Sequence, residues 1–496
     1  MSQTVPQTST TRDSRWLALY VLCTGMLMIV LDMTIVNVAL PTIQTDLGFS
    51  QSSLAWVVNA YLIAFGGLLL LAGRLGDLVG RRRVFLTGLG VFTVASILCG
   101  VSTNSAMLIG ARFIQGVGGA MATAVTLGMI VTMFPEPGEQ AKAIGVFSFV
   151  AAAGASVGLL LGGVLTQSLS WHWIFFVNIP IGIAAAVLTS RLVKSDKGIG
   201  FGEGADVLGA VLVTAALMLT VYTIVKTDEY SWGSAHTLGL GALAIVLLAV
   251  FIVRQLTAAN PLLPMRIFKS RNVSGANLIQ ILMVAGMFGM FFLGTLYMQK
   301  VLGYDALEIG LGFLPTALAI GGLSVGLSAR LITRFGPRPV LIVGLVSILA
   351  GLVLFTRVPV DGEYLADVLA PVLLVGIGAG LSFPTLMTLA MSGATPSDAG
   401  LASGLVNTTA QVGGALGLAV LAALSTSRTV DRLAEGSPRP DALTSGFHLA
   451  FGIGAVLVLV AIGLAVGLLK PVSGLQPHGE FAAEPVSEPE IDPARA

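Results

Sequence analysis

The segment Gly73-Arg-Leu-Gly-Asp-Leu-Val-Gly-Arg-Arg-Arg83 joins two apolar runs, and a second segment of the same kind, Ala329-Arg-Leu-Ile-Thr-Arg-Phe-Gly-Pro-Arg-Pro339, joins two others. They match at Arg74/Arg330, Leu75/Leu331, Gly80/Gly336 and Arg82/Arg338, an offset of 256. Gly116 and Gly118 correspond to Gly376 and Gly378 at an offset of 260, and Gly145, Gly154 and Gly158 to Gly404, Gly413 and Gly417 at 259. Three landmarks in one order at nearly one offset predict duplicated halves, a plan on which many transporters are built.

The runs themselves number fourteen: 16–40, 54–73, 84–102, 106–131, 141–167, 171–193, 205–226, 235–255, 272–299, 306–329, 339–356, 364–391, 399–425 and 445–470. Each can cross ~30 Å of hydrocarbon as a helix. Composition agrees: 55% of the 496 residues are hydrophobic and 10% charged, whereas a soluble chain carries about 25% charged residues. An ordinary soluble enzyme is thereby excluded. A net charge of +1 supplies no basic surplus for a nucleic-acid backbone. The expected class is an all-α integral membrane protein, with six-helix bundles at 16–193 and 272–470 and two extra helices at 205–255 that have no counterpart in the repeat. The polar stretch 1–15 reads as a tail, and 471–496, with five acidic residues among prolines, as a disordered acidic one. The lone Cys23 and Cys99 read as packing residues, and four scattered histidines offer no metal site.

Lys and Arg orient the spans, because positive loops stay cytoplasmic. With the N-terminus inside, nineteen of the 26 fall in inner segments and six in outer ones, Arg112 alone lying within a span. Both termini are therefore expected in the cytoplasm, in a multi-pass protein of the cell membrane. Trp16, Trp56, Trp171 and Trp173 lie at span ends, where interfacial aromatics belong.

Four motifs in register carry a resemblance. Leu31-Asp-Met-Thr-Ile-Val-Asn-Val-Ala-Leu-Pro41 in the first span, the loop from Gly73 to Arg83, Arg112-Phe-Ile-Gln-Gly-Val-Gly118 in the fourth span, and Gly154 to Gly163 in the fifth resemble the fourteen-span drug:proton antiporters of the major facilitator superfamily, a group that includes exporters of quaternary ammonium compounds. One departure is Leu159, where that group has a proline after the glycine at 158. The resemblance implies the major facilitator fold, no cofactor beyond a proton gradient, and small lipophilic or cationic cargo. It also implies a charge network of Asp77 and the arginines that latches the inner gate, involving Gly73, Arg74, Gly80 and Arg81.

Asp32 lies deep in the first span. A carboxylate near the bilayer centre costs at least ~2.5 kcal/mol, so it reads as functional. Counting 1.5 Å per residue from Leu17 puts it roughly 22 Å from the inner face, and Arg112, the other charge well inside a span, at ~21 Å. The two are level. Burial and a nearby guanidinium act in opposite senses on a carboxyl's proton affinity, so a pair at this depth can exchange a proton and be displaced by a cation, which is antiport by competition. The alternative is a static ion pair.

Gln115 lies one turn from Arg112 on the same face and can orient the guanidinium or line a cavity. Gly154, Gly158 and Gly162, with Gly163, form small-xxx-small steps for close helix packing. Gln280, Met283, Met287 and Met290 share one helical arc, suited either to packing or to a promiscuous cavity. Asn37, Asn59, Asn178, Asn407 and Gln411 either cross-link helices or touch cargo. The expected function is proton-coupled efflux by a single chain. Export of an endogenous metabolite or self-made antibiotic is the alternative, and a membrane-embedded enzyme lacks a nucleophile, base and oxyanion site.

Overall fold

Backbone groups in hydrocarbon have no water to bind, so an apolar chain satisfies them within helices. In the computed structural model, which describes residues 10–470 apart from 135, 197, 199, 201–203 and 393–398, every regular element is helical among the described residues. The expected acidic tail at 471–496 and residues 1–9 of the expected N-terminal tail lie outside the described residues. Residues 10–15 of that tail are helical, because the first helix begins at Thr10.

The long helices are α1 (Thr10–Leu47), α2 (Trp56–Val79), α3 (Arg81–Gly100), α4 (Ser105–Met133), α5 (Pro137–Ser168), α6 (Asn178–Leu192), α7 (Val207–Val225) and α8 (Ala235–Thr257). Then come α9 (Arg271–Lys300), α10 (Ala306–Gly322), α11 (Pro337–Phe355), α12 (Leu369–Ser392), α13 (Ala399–Ala434) and α14 (Arg439–Gly467). Twelve helices among the described residues are long and apolar enough to cross a membrane. The other two expected spans coincide with shorter apolar stretches, Val157–Ser168 in α5 and Ala306–Gly322 in α10. Polar caps start several helices: Asn104, Asp206, Ser234, Ser270 and Asp305 each accept an N–H from three residues on, which satisfies a donor the helix itself cannot.

The repeat in the sequence is a repeat in packing. Helix α1 packs on α5 and α6, and α9 on α13 and α14; α4 packs on α2 and α3, and α12 on α10 and α11. The halves meet where α5 crosses α10 and α2 crosses α13. Matching glycines permit matching approaches: Gly88 against Gly118 in one half, Gly344 against Gly378 in the other, with no room at these four positions for a Cβ. Gly80 and Gly336 both adopt positive φ, 105° and 81°, and both open the next helix. L side chains rarely adopt that conformation, which accounts for glycine at both copies of the loop.

In α5 the glycines divide their work. Gly154, Gly158 and Gly162 face α1, whereas Gly163 lies against Ala306 and Leu307 of α10, where the halves meet. Leu159, replacing the expected proline, is buried with its carbonyl against Gly310, and α5 runs unbroken through it. A Cβ on Gly158 would lie 2.9 Å from the Leu31 carbonyl oxygen, beside Asp32. Gly158→Ala is therefore expected to cost about 1–3 kcal/mol, as overpacking does. Gly90→Ala, where nothing lies within 4 Å, should not lower the thermal midpoint, whereas Gly158→Ala should, both read by thermal unfolding in detergent.

Helix α7 packs against both α2 and α13, across the seam of the halves, and α8 packs on α7. Asp206 holds this pair together, accepting from Arg254 Nε at 2.5 Å, Gln255 Nε2 at 2.7 Å and Gly209 N at 2.9 Å. Burial pushes its carboxyl up, but the hydrogen bonds from Gln255, Arg254 and Gly209 outweigh burial and hold it below the usual aspartate range. A depressed carboxyl stabilises the fold above its unfolded pKa and loses that contribution as pH falls through the folded value. Asp206→Asn is thus expected to lower the midpoint at pH 7 and to flatten the acid limb of the stability profile, both read by thermal unfolding in detergent.

Of the tryptophans expected at interfaces, Trp173 is 48% exposed, but Trp56 and Trp171 turn inward. Trp171 Nε1 donates to Asp46 at 2.8 Å and its ring stacks on His172. A hydrogen-bond partner and a stacking partner inside the fold outcompete the interface for it.

Candidate functional site

Helices α1 and α4 bring Asp32 and Arg112 into direct contact, Nη1 to Oδ2 at 2.5 Å, with side chains 0% and 1% exposed. The shared depth reckoned from helical rise is thus a shared site. Burying two charges is costly, and the expense is offset only when the remaining donors and acceptors are matched. Here they are. Asp32 Oδ1 accepts from Gln115 Nε2 at 2.8 Å and Asn178 Nδ2 at 2.9 Å. Arg112 donates from Nε to the Val57 carbonyl at 3.0 Å and from Nη1 to Gln115 Oε1 at 2.6 Å. Its guanidinium carbon lies over the Tyr61 ring at 4.4 Å and the Phe175 ring at 5.8 Å, a further attraction in a desolvated site. Ser96 Oγ accepts from both Gln115 and Asn178, tying α3 into the cluster.

Every partner named belongs to the N-terminal half. Asn178, at the start of α6, enters the site from a residue that sequence alone treats as one uncharged polar among several. Ser96 and Tyr61 carry no signal in the sequence, since a serine or tyrosine within a span is ordinary. The site also holds unpaired polar atoms: Asn178 Oδ1 and Tyr61 Oη have no hydrogen-bond partner, nor, elsewhere in α2, does either amide atom of the buried Asn59. Such groups are costly to bury and are places for water or a polar ligand.

The arginine-rich end carries the second cluster. Asp77 and Arg81 pair at 3.1 Å one turn apart, both partly exposed, and such a surface pair is worth little by itself. Arg81 also donates to the Gly128 carbonyl and Thr132 Oγ1 in α4, each at 3.1 Å. Gly76 lets α2 approach Val125 of α4, Gly73 faces Ala124, and Arg74 Nε donates to the Gly204 carbonyl at 3.3 Å. These contacts of the expected gate residues lie within the N-terminal half and its connection to α7.

The remaining candidates do not join either cluster. Asn37 donates to Met33 O in its own helix. Met283, Met287 and Met290 are buried in the common core, and Gln280 is buried with Oε1 unpartnered. Gln411, also with Oε1 unpartnered, faces Gly66 across the α2–α13 seam. No group of three or more His, Cys, Asp or Glu able to hold a metal occurs among the described residues.

The family profile of the Major Facilitator Superfamily matches residues 22–418. A puromycin resistance protein of Streptomyces alboniger is 39% identical over 456 residues, 90% of this chain and 90% of that protein. A cephamycin export protein of Amycolatopsis lactamdurans is 39% identical over 472 residues, 95% and 96% of the two chains. Among solved structures, a bacterial homologue of the human lysosomal transporter Spinster, inward-facing and unoccupied, superposes with a TM-score of 0.65 at 14% identity, covering 91% of this chain and 96% of that one.

Proposed function

The chain belongs to the Major Facilitator Superfamily, and from that premise we propose that it is a proton-coupled exporter of lipophilic, cationic drugs or biocides, working by alternating access. It is a multi-pass membrane transporter related to export and resistance proteins, so the membrane-enzyme alternative falls away. The observation that carries the coupling is the asymmetry of support around Asp32 and Arg112. Arg112 keeps the Val57 carbonyl, Gln115 Oε1 and the Tyr61 face whatever the charge at Asp32. The carboxylate can therefore take up a proton without stranding a bare buried cation. A cationic cargo and a proton then compete for one carboxylate, and each drives the other across in opposite directions. The unpaired Tyr61 and Asn178 atoms supply hydrogen-bonding positions for water reaching the pair.

In this reading the arginine-rich end faces the cytoplasm, as nineteen basic residues against six support. Helices α5 and α10 count as the spans that complete fourteen, the chain works as a monomer, and Gln280, Met283 and Met287 contribute to the cargo path in a conformation more open than this one. Asp77 and Arg81 latch the cytoplasmic gate. Gly163, facing α10, lies on the bearing surface for the rocking of the halves, and the glycines facing α1 keep the N-terminal half packed as one body.

A second cargo reading, export of an antibiotic or other metabolite made by the cell, is favoured by the relatives' names, cephamycin export and puromycin resistance. Susceptibility of an expressing strain to cationic dyes, biocides, puromycin and a cephamycin, with Asp32→Asn as control, separates the two. Protection against the cations that Asp32→Asn loses supports the first. Protection confined to the antibiotics, or no protection against any compound, favours the second.

A further inference from the structure

We infer that Asp196, in the linker between α6 and α7, is a positioning residue of the cytoplasmic gate loop: it holds the turn before α3 so that Arg81 closes on Asp77 and α4. The inference rests on the orientation and gate role proposed above.

The start of α3 cannot satisfy itself. Its N-cap residue is Gly80, which has no side chain to accept the orphan N–H groups of the first turn, and Arg81, Arg82 and Arg83 all bring such donors. The acceptor arrives from far along the chain. Asp196 Oδ2 accepts the Arg81 N–H at 2.7 Å and Oδ1 the Arg82 N–H at 3.1 Å, a charged cap at the positive end of the helix dipole. The linker and the last turn of α6 are stitched to this turn elsewhere. Gly200 N donates to the Leu78 carbonyl at 3.0 Å, the Arg82 guanidinium donates to the Ser190 carbonyl, and a Cβ on Gly80 would lie 2.7 Å from the Asp196 carbonyl oxygen.

The duplicated loop shows what this arrangement is for. There Pro337 and Pro339 open α11. Proline has no N–H and its φ is preset for a helix start, so that turn has fewer orphan donors to cap. The copy with prolines is also the copy in which Thr333 stands where Asp77 stands in the first. The carboxylate cap and the gate carboxylate thus occur together, on one of the two loops. Asp196 fixes the backbone of Arg81, and that backbone sets where the guanidinium meets Asp77 Oδ1, Gly128 O and Thr132 Oγ1.

The test uses the full chain in lipid nanodiscs, with Cys23→Ala and Cys99→Ala to remove the native thiols and spin labels at Thr87→Cys and Thr333→Cys, exposed positions near the arginine-rich ends of the two halves. Pulsed electron-electron distance distributions give the fraction of molecules open to the cytoplasm, and thermal unfolding is measured alongside. Asp77→Asn and Asp196→Ala are each expected to raise the open fraction at least about threefold, within what loss of one helix cap allows. Asp196→Asn, which keeps one acceptor oxygen, should shift it less. A lowered midpoint for Asp196→Ala with an unchanged open fraction would reduce Asp196 to a structural cap and overturn the inference. If Asp77→Asn moves the fraction and Asp196→Ala does not, the inference fails while the gate reading stands. If neither moves it, the gate reading fails and takes the inference with it.

Discussion

Asp32→Asn is expected to abolish export driven by a pH gradient while leaving the protein folded and able to exchange cargo without net proton movement. The neutral side chain keeps the shape of the site, and Arg112 retains Val57 O at 3.0 Å, Gln115 Oε1 at 2.6 Å and the Tyr61 ring. What disappears is the carboxyl, the group in the cluster proposed to take and give the proton, since an arginine side chain keeps its charge. In proteoliposomes, cargo added to one side should drive proton movement in the wild type and none in the variant, with cargo counterflow preserved in both. Coupling undiminished in Asp32→Asn would return Asp32 and Arg112 to the role of a static lock between α1 and α4.

Arg112→Gln is expected to be the most destabilising single change in the site, at about 3–5 kcal/mol, because it leaves a buried carboxylate without a cation. The amides of Gln115 and Asn178 would remain as its donors, and neutral donors do not replace a charge in a site closed to water. The double variant Asp32→Asn, Arg112→Gln should recover most of that loss, since it removes both charges together and leaves amides that can pair. Unfolding of the four proteins in detergent gives the coupling energy directly. If Arg112→Gln proved no more destabilising than Asp32→Asn, the asymmetry of support that underlies the proton-exchange proposal would be wrong.

How far the sequence alone reaches differs between fold and site, for physical reasons. Duplication was legible because membrane loops repeat chemistry that topology demands: Gly80 and Gly336 both need positive φ, and the α3–α4 and α11–α12 crossings both need glycine at the contact. Helices α5 and α10 were harder to delimit. Sequence hydropathy runs on to residue 329, whereas α10 ends at Gly322 and passes through a wide turn, Leu323–Leu327, into a separate short helix, Ser328–Phe335. Asp32 and Arg112 stood out because charges are rare at that depth and helical rise placed them level. Asn178 and Ser96 did not, since an uncharged polar residue in a span is common, and only the fold shows which one turns toward the carboxylate. Asp196 was invisible for another reason. In a polar linker an aspartate has no unusual cost, and its partners, Arg81 and Arg82, lie more than a hundred residues earlier.

The central claim is that cargo and proton compete for Asp32, and it is tested most directly by counting protons released when cargo binds. With purified protein in weakly buffered detergent solution, a saturating cationic substrate should release protons from the wild type, and the release should vanish in Asp32→Asn although the cargo still binds. Equal release from both proteins would contradict the account.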